Sequence, residues 1–153
     1  MPFSLIPEKA SLLPPGPEGS RPRLSLPADA YDEIYAIGDV HGCLDLLLAA
    51  EERIFRSAAA TPGPKLIVML GDYIDRGPNS AGVIDHLLAP PPDGFDRVCL
   101  CGNHEDMLES FLASPRFEPH WLVYGGDATL ASYGIDSDEA FHSDATGARL
   151  KKL

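Results

Sequence analysis

The sequence predicts an α/β fold built on a parallel sheet, and three observations carry that prediction. Three short apolar runs, Ile34-Tyr35-Ala36-Ile37, Leu66-Ile67-Val68-Met69-Leu70 and Val98-Cys99-Leu100-Cys101, each suit a buried strand, and each stops at a glycine followed at once by a polar residue. Stretches of helical composition separate the runs. The closing glycines, Gly38, Gly71 and Gly102, lie 33 and 31 residues apart, close to the roughly 30 residues of one β-α-β unit.

Taken in order, the first 32 residues hold seven prolines among Gly16, Gly19 and Ser20 and keep no helical or strand period. They read as a Pro-rich, flexible tail or linker, so the organised domain is expected over 33–153. Residues 44–60, rich in Leu, Ala, Glu and Arg, read as the first crossover helix, stopped by Thr61-Pro62-Gly63-Pro64. Residues 80–88 give a shorter second helix closed by Pro90-Pro91-Pro92. The order is therefore β-α-β-α-β. A third helix is expected over 105–113, then a Pro-containing loop, the segment 121–124, and a small-residue helix over 127–132. Beyond Gly134 the signal fades.

Composition narrows the function classes. With 12 Lys and Arg against 23 Asp and Glu, the net charge is -11, and 44% of residues are hydrophobic, which suits one folded domain and is too apolar for disorder. A pI near 4.7 argues against a nucleic acid duplex as partner. No apolar run nears the roughly 20 residues of a membrane-spanning helix, and no charged n-region leads into an apolar one, so a cytoplasmic protein with no membrane partner is expected. Cys43, Cys99 and Cys101 lack zinc or redox-pair spacing and read as reduced, buried thiols.

Open parallel sheets collect functional groups at the carboxyl ends of their strands. Those ends read Gly38-Asp39-Val40-His41-Gly42, then Gly71-Asp72-Tyr73-Ile74-Asp75-Arg76-Gly77, then Gly102-Asn103-His104-Glu105. Each glycine permits a sharp turn and a close backbone approach, so the next carboxylate, imidazole or amide can project into the crevice. Singly, each piece has an ordinary alternative: a Gly-Asp turn or cap, a packing histidine, a surface ion pair of Asp75 with Arg76. Jointly they converge acidic groups on one place, and divalent cations compensate such charge directly.

The three motifs, in this order and spacing, resemble the leading signatures of the phosphoprotein phosphatase family of calcineurin-like metallophosphoesterases. Gly125-Gly126-Asp127-Ala128-Thr129-Leu130 and Ser132-Tyr133-Gly134 resemble a stretch typical of the bacterial serine/threonine branch. The resemblance covers 33–134. It implies a four-layer α/β/β/α fold, of which this chain would hold the N-terminal part, and a centre of two divalent metal ions, manganese first, with iron or zinc as alternatives. Asp39 and His41 would hold the first ion, Asp72 would bridge both, and Asn103 would hold the second. A metal-bridging hydroxide would attack phosphorus in line. Arg76 would clamp phosphate oxygens, His104 would protonate the departing alkoxide, and Asp75 would orient His104.

The implied substrate is a phosphoprotein or a phosphorylated small molecule. Diadenosine tetraphosphatase relatives typically lack the aspartate before the arginine and finish with GNHD, so Asp75 and Glu105 favour phosphoserine and phosphothreonine proteins. The resemblance also implies two later histidines for the second ion, in segments like HAG and HGHT, a further arginine and another histidine-bearing segment, and none of these occurs before Leu153. His86, His120 and His142 read as surface or packing residues. The chain is thus expected to be truncated at the C-terminus, with its second sheet largely missing, an apolar sheet face uncovered and turnover impaired. Two alternatives accompany this reading: a bis(5'-nucleosyl)-tetraphosphatase or other nucleotide phosphohydrolase, and a non-catalytic metal-binding fragment.

Overall fold

A computed structural model of the chain describes residues 10–12, 23–113 and 120–137. Two short strands, β1 (Ser11–Leu12) and β2 (Leu24–Ser25), pair antiparallel. Three longer ones, β3 (Glu33–Ile37), β4 (Lys65–Met69) and β5 (Phe95–Cys99), form a parallel sheet with β4 in the middle, its register set by Ile34 beside Leu66 and Ile67 beside Arg97. The fold is the α/β class expected, with the crossover helices α1 (Leu44–Ala58) and α2 (Ser80–Leu88) between the strands. Then follow α3 (Asn103–Ala113), a π-helical turn at Leu122–Gly126, and α4 (Asp127–Ser132). No helix among the described residues is long and apolar enough to cross a membrane.

Each strand begins before its apolar run and ends before its glycine. Pairing is a backbone property, so Glu33, Lys65, Asp96 and Arg97 enter the ladder because their side chains find partners at its rim. Glu33 accepts from the Thr61 hydroxyl (2.8 Å) and from the Tyr35 hydroxyl (2.7 Å), and Lys65 Nζ donates to the carbonyls of Thr61 and Gly63. α1 stops two residues short of the expected 60, because only Ala59 carries the hydrogen-bond pattern on, to the Phe55 carbonyl. α3 starts two residues early: Asp72 Oδ1 accepts the His104 N–H (3.0 Å) and Glu105 reaches back to the Gly102 N–H (2.9 Å), so carboxylates satisfy its first turn. α2 and α4 match their expected bounds, and the Asn79 side chain caps α2 by accepting from Gly82 N (2.9 Å).

The main core lies on the helical side of the sheet, where Ile67 and Met69 meet Leu47 of α1, Val83 and Leu87 of α2, Phe111 of α3, Leu130 of α4 and Trp121 just before the π-helical turn. On the other face, Leu66 and Val98 are buried under Leu24, Leu26, Ala30 and Tyr31. The described part of the segment read as a tail therefore lies on the sheet. Tyr31 fastens it there, donating its hydroxyl to Asp96 Oδ2 (2.6 Å), and burial together with that carboxylate pushes the phenol above its ordinary range. Among the described residues the cover leaves Ile34 62% exposed.

One buried ionic cluster ties the sheet to its helices. Glu51 of α1, 2% exposed, accepts from Arg97 Nη2 of β5 (2.9 Å) and pairs with His86 Nε2 of α2 (2.6 Å). Arg97 Nη1 also donates to the last carbonyls of α2, at His86, Leu87 and Ala89. His86, read as a surface or packing residue, is thus a hydrogen-bond partner of a buried carboxylate. Removing Glu51 strands the buried Arg97 guanidinium, so Glu51→Ala should destabilise the fold by about 3 to 5 kcal/mol in urea denaturation, and His86→Ala, whose side chain is 27% exposed, by clearly less.

Candidate metal and phosphoester site

The loops after β3, β4 and β5 lie against one another backbone to backbone. Val40 and His41 both donate their N–H to the Asp72 carbonyl (3.0 and 2.9 Å), and Gly42 donates to the Tyr73 carbonyl (2.8 Å). A Cβ on Gly77 would land on the His41 carbonyl oxygen, and one on Gly71 would land on the Gly102 backbone nitrogen, so side chains there would force the loops apart. Gly38 is different. A Cβ there would meet nothing within 4 Å, so close approach does not explain that glycine.

Four non-glycine residues among those described have positive φ: His41 (44°), Asp72 (54°), Asp75 (74°) and Arg76 (68°). All four were singled out from the motifs. Left-handed backbone at such residues is held only where surrounding bonds over-determine it, and it concentrates at functional sites.

Those bonds aim the side chains. The Ile74 carbonyl, which can only accept, lies 2.9 Å from His41 Nδ1, so the proton sits on Nδ1 and the Nε2 lone pair faces the pocket. There Nε2 accepts from Arg76 Nη1 (2.8 Å) and stands 3.8 Å from Asp39 Oδ2. His104, 2% exposed, shares the pattern: Nδ1 donates to Asp75 Oδ2 (2.6 Å) and Nε2 accepts from Arg76 Nη2 (3.0 Å). The two imidazoles meet edge to face at 4.7 Å. Ligand atoms of His41, Asp72 and His104 all lie within 4.8 Å of one another.

Of the four expected ligands, Asp39, His41 and Asp72 therefore gather at one end of the sheet, with Asp39 on the solvent side. Asn103 opens α3, exposed, one residue before His104. An imidazole lone pair with carboxylate oxygens beside it is a donor set suited to first-row divalent cations, and the bond to Ile74 holds the required tautomer, so the residues present fit such an ion.

Asp75 is fully buried, which removes the surface ion-pair alternative. Its carboxylate accepts from the Trp121 indole N–H (2.7 Å) and the Thr129 hydroxyl (2.7 Å) besides His104. Neither Trp121 nor Thr129 was read as a site residue. The contacts span 46 and 54 residues, and their only sequence signal was the stretch 125–134 around Thr129. Glu105 also has an unforeseen place. It accepts from the backbone N–H groups of Asp72 (2.8 Å), Tyr73 (2.8 Å) and Gly102 (2.9 Å), so it sets loop geometry. His120 is exposed beside Trp121, and His142 lies outside the described residues. The thiols are not uniformly buried either: Cys101 is exposed, Cys43 and Cys99 are half-buried, and burial pushes the Cys99 thiol up.

Glycine-packed loops at the ends of parallel strands, with imidazoles and a carboxylate converging, form a candidate site for a divalent metal ion. A family model described as calcineurin-like phosphoesterase matches residues 33–147, and the chain belongs to that family, which is divalent-metal dependent. It is 34% identical over 100 residues to serine/threonine-protein phosphatase 1 of Salmonella typhimurium, covering 65% of this chain and 42% of that protein. It is 37% identical over 101 residues to serine/threonine-protein phosphatase 2 of Escherichia coli K12, covering 65% and 41%. A symmetrical bis(5'-nucleosyl)-tetraphosphatase of Escherichia coli K12 is 34% identical over 86 residues, covering 56% of this chain and 28% of that protein. The chain thus spans about two fifths of the length of the two phosphatases.

Glu105→Ala would leave three backbone donors at the loop junction without their charged acceptor. It should cost at least about 2 kcal/mol in thermal denaturation and weaken divalent-metal binding measured by calorimetry, whereas a surface change such as Glu109→Ala should do neither.

Proposed function

We propose that this chain, acting in the cytoplasm, belongs to a metal-dependent hydrolase of phosphate monoesters, with phosphoserine or phosphothreonine in a protein as the reacting group. The observation that carries the reading is the convergence of the His41 Nε2 lone pair, Asp72 and His104, with both imidazoles held as Nδ1–H tautomers. Asp39, His41, Asp72 and Asn103 would hold two divalent ions, manganese first, which supply a hydroxide at neutral pH and polarise the phosphoryl oxygens.

The remaining groups have work set by their bonds. The Nε2 atoms of His41 and His104 both accept from Arg76, so one guanidinium spans the two rings. Arg76 would leave the His41 lone pair to a cation held there, and it leaves that of His104 when the ring takes a proton. Its planar fork is then free for two phosphate oxygens, offsetting charge that builds on them. His104, backed by the Asp75 carboxylate, gives a proton from Nε2 to the departing oxygen.

A second reading is hydrolysis of a nucleotide such as a dinucleoside polyphosphate, which the similarity to the bis(5'-nucleosyl)-tetraphosphatase favours.

Manganese-dependent release of phosphate should be faster from a phosphoserine peptide than from diadenosine tetraphosphate, and chelation should abolish it. Asp72→Asn and His104→Ala should each lower kcat by about 10²-fold or more. The opposite substrate order selects the nucleotide reading. Bound manganese with no turnover of either substrate selects a non-catalytic metal-binding chain.

A further inference from the structure

We propose that Trp121 and Thr129 are positioning residues for His104, acting through Asp75. The proposal rests on the reading that His104 works on the leaving group, and it assigns the downstream segment of the chain a part in that step.

Asp75 has no surface open to bulk solvent, and among the described residues three side chains donate hydrogen bonds to its carboxylate. Oδ2 accepts two of them, from His104 Nδ1–H (2.6 Å) and Trp121 Nε1–H (2.7 Å). Oδ1 accepts the Thr129 hydroxyl (2.7 Å). The Asp75 backbone is held by the same neighbours, since its N–H lies 2.8 Å from Thr129 Oγ1 and 3.1 Å from Ser80 Oγ. With Oδ1 tied to α4 and Oδ2 to the indole, the carboxylate cannot turn about its Cβ–Cγ bond.

That restraint matters because Asp75 sits on strained backbone, at φ 74°. A carboxylate free to rotate there would let the His104 ring flip, exchanging the nitrogen that faces Asp75 for the one that faces the pocket. The fixed carboxylate selects the Nδ1–H tautomer and leaves Nε2 beside Arg76 and His41. The anchors are themselves rigid: Trp121 is 1% exposed and packs on Phe111 at 4.9 Å, and Thr129 is 2% exposed on α4.

The test reads the His104 ring by nitrogen-15 NMR of the full chain, with its resonances identified by their loss in His104→Ala. The wild type should show a single Nδ1–H tautomer with a strongly deshielded proton. Trp121→Phe keeps the aromatic bulk and removes the donor, and Thr129→Val keeps the shape and removes the hydroxyl. Both should yield a tautomer mixture, and Thr129→Ser should restore the wild-type ring. An unchanged ring in folded Trp121→Phe and Thr129→Val, or an Nε2–H tautomer in the wild type, overturns the proposal. Should Trp121→Phe fail to fold by circular dichroism, the Val and Ser variants at Thr129 decide alone.

Turnover gives a second readout. An alkyl leaving group needs a proton and an aryl one needs it far less, so Trp121→Phe should lower kcat by about tenfold or more on a phosphoserine peptide and by less than about threefold on p-nitrophenyl phosphate. Equal losses on both overturn the proposal. A wild-type chain that hydrolyses neither substrate defeats the hydrolase reading, while the ring tautomer still decides the positioning role.

Discussion

The structure depends on three strand-end loops being held at backbone contact. Parallel strands deliver their carboxyl ends side by side, yet that alone leaves the following side chains several ångströms from a common point. Glycines at 71, 77 and 102 let the loops touch, and the Glu105 carboxylate gathers N–H groups from two of them. Under that compression His41, Asp72, Asp75 and Arg76 adopt positive φ, and their side chains turn inward. The site is a product of crowding that ordinary loops avoid.

Such crowding is costly, and the fold supplies compensation nearby. The Asp75 carboxylate, wholly desolvated, is met by donors from an imidazole, an indole and a hydroxyl. The Asp72 carboxylate takes the first turn of α3 as well as facing the pocket. Further away, Glu51, His86 and Arg97 pin α1 and α2 to the sheet, fixing the crossovers whose lengths set where the loops fall. A rigid frame of this kind keeps polar groups within a few tenths of an ångström of where they are needed, which cation binding and phosphoryl transfer both demand.

Much of this was legible beforehand, for identifiable reasons. The apolar runs, the helix stops at Pro62 and Pro90, and the Gly-Asp and Gly-Asn steps are local signals, and local signals survive in sequence. The helices at Ser80–Leu88 and Asp127–Ser132 match for that reason. What was not legible is long-range. Trp121 reaches Asp75 across 46 residues, and nothing in its neighbours marks it. His86, read as a surface or packing residue, shares its partner Glu51 with Arg97 of another element, and no local pattern records a meeting across 35 and 46 residues. Glu105 was visible as a motif residue, but its bonds run to backbone, which carries no residue identity to read.

The central claim is that Asp39, His41 and Asp72 share one cation pocket at the strand ends. Crystals of the full chain grown with manganese, with anomalous scattering recorded at the manganese edge, test it most directly. The account predicts an anomalous peak within about 2.3 Å of His41 Nε2 and of an Asp72 carboxylate oxygen, with Asp39 turned toward it. A map with no peak at that place, or with manganese only on surface carboxylates elsewhere, would contradict it.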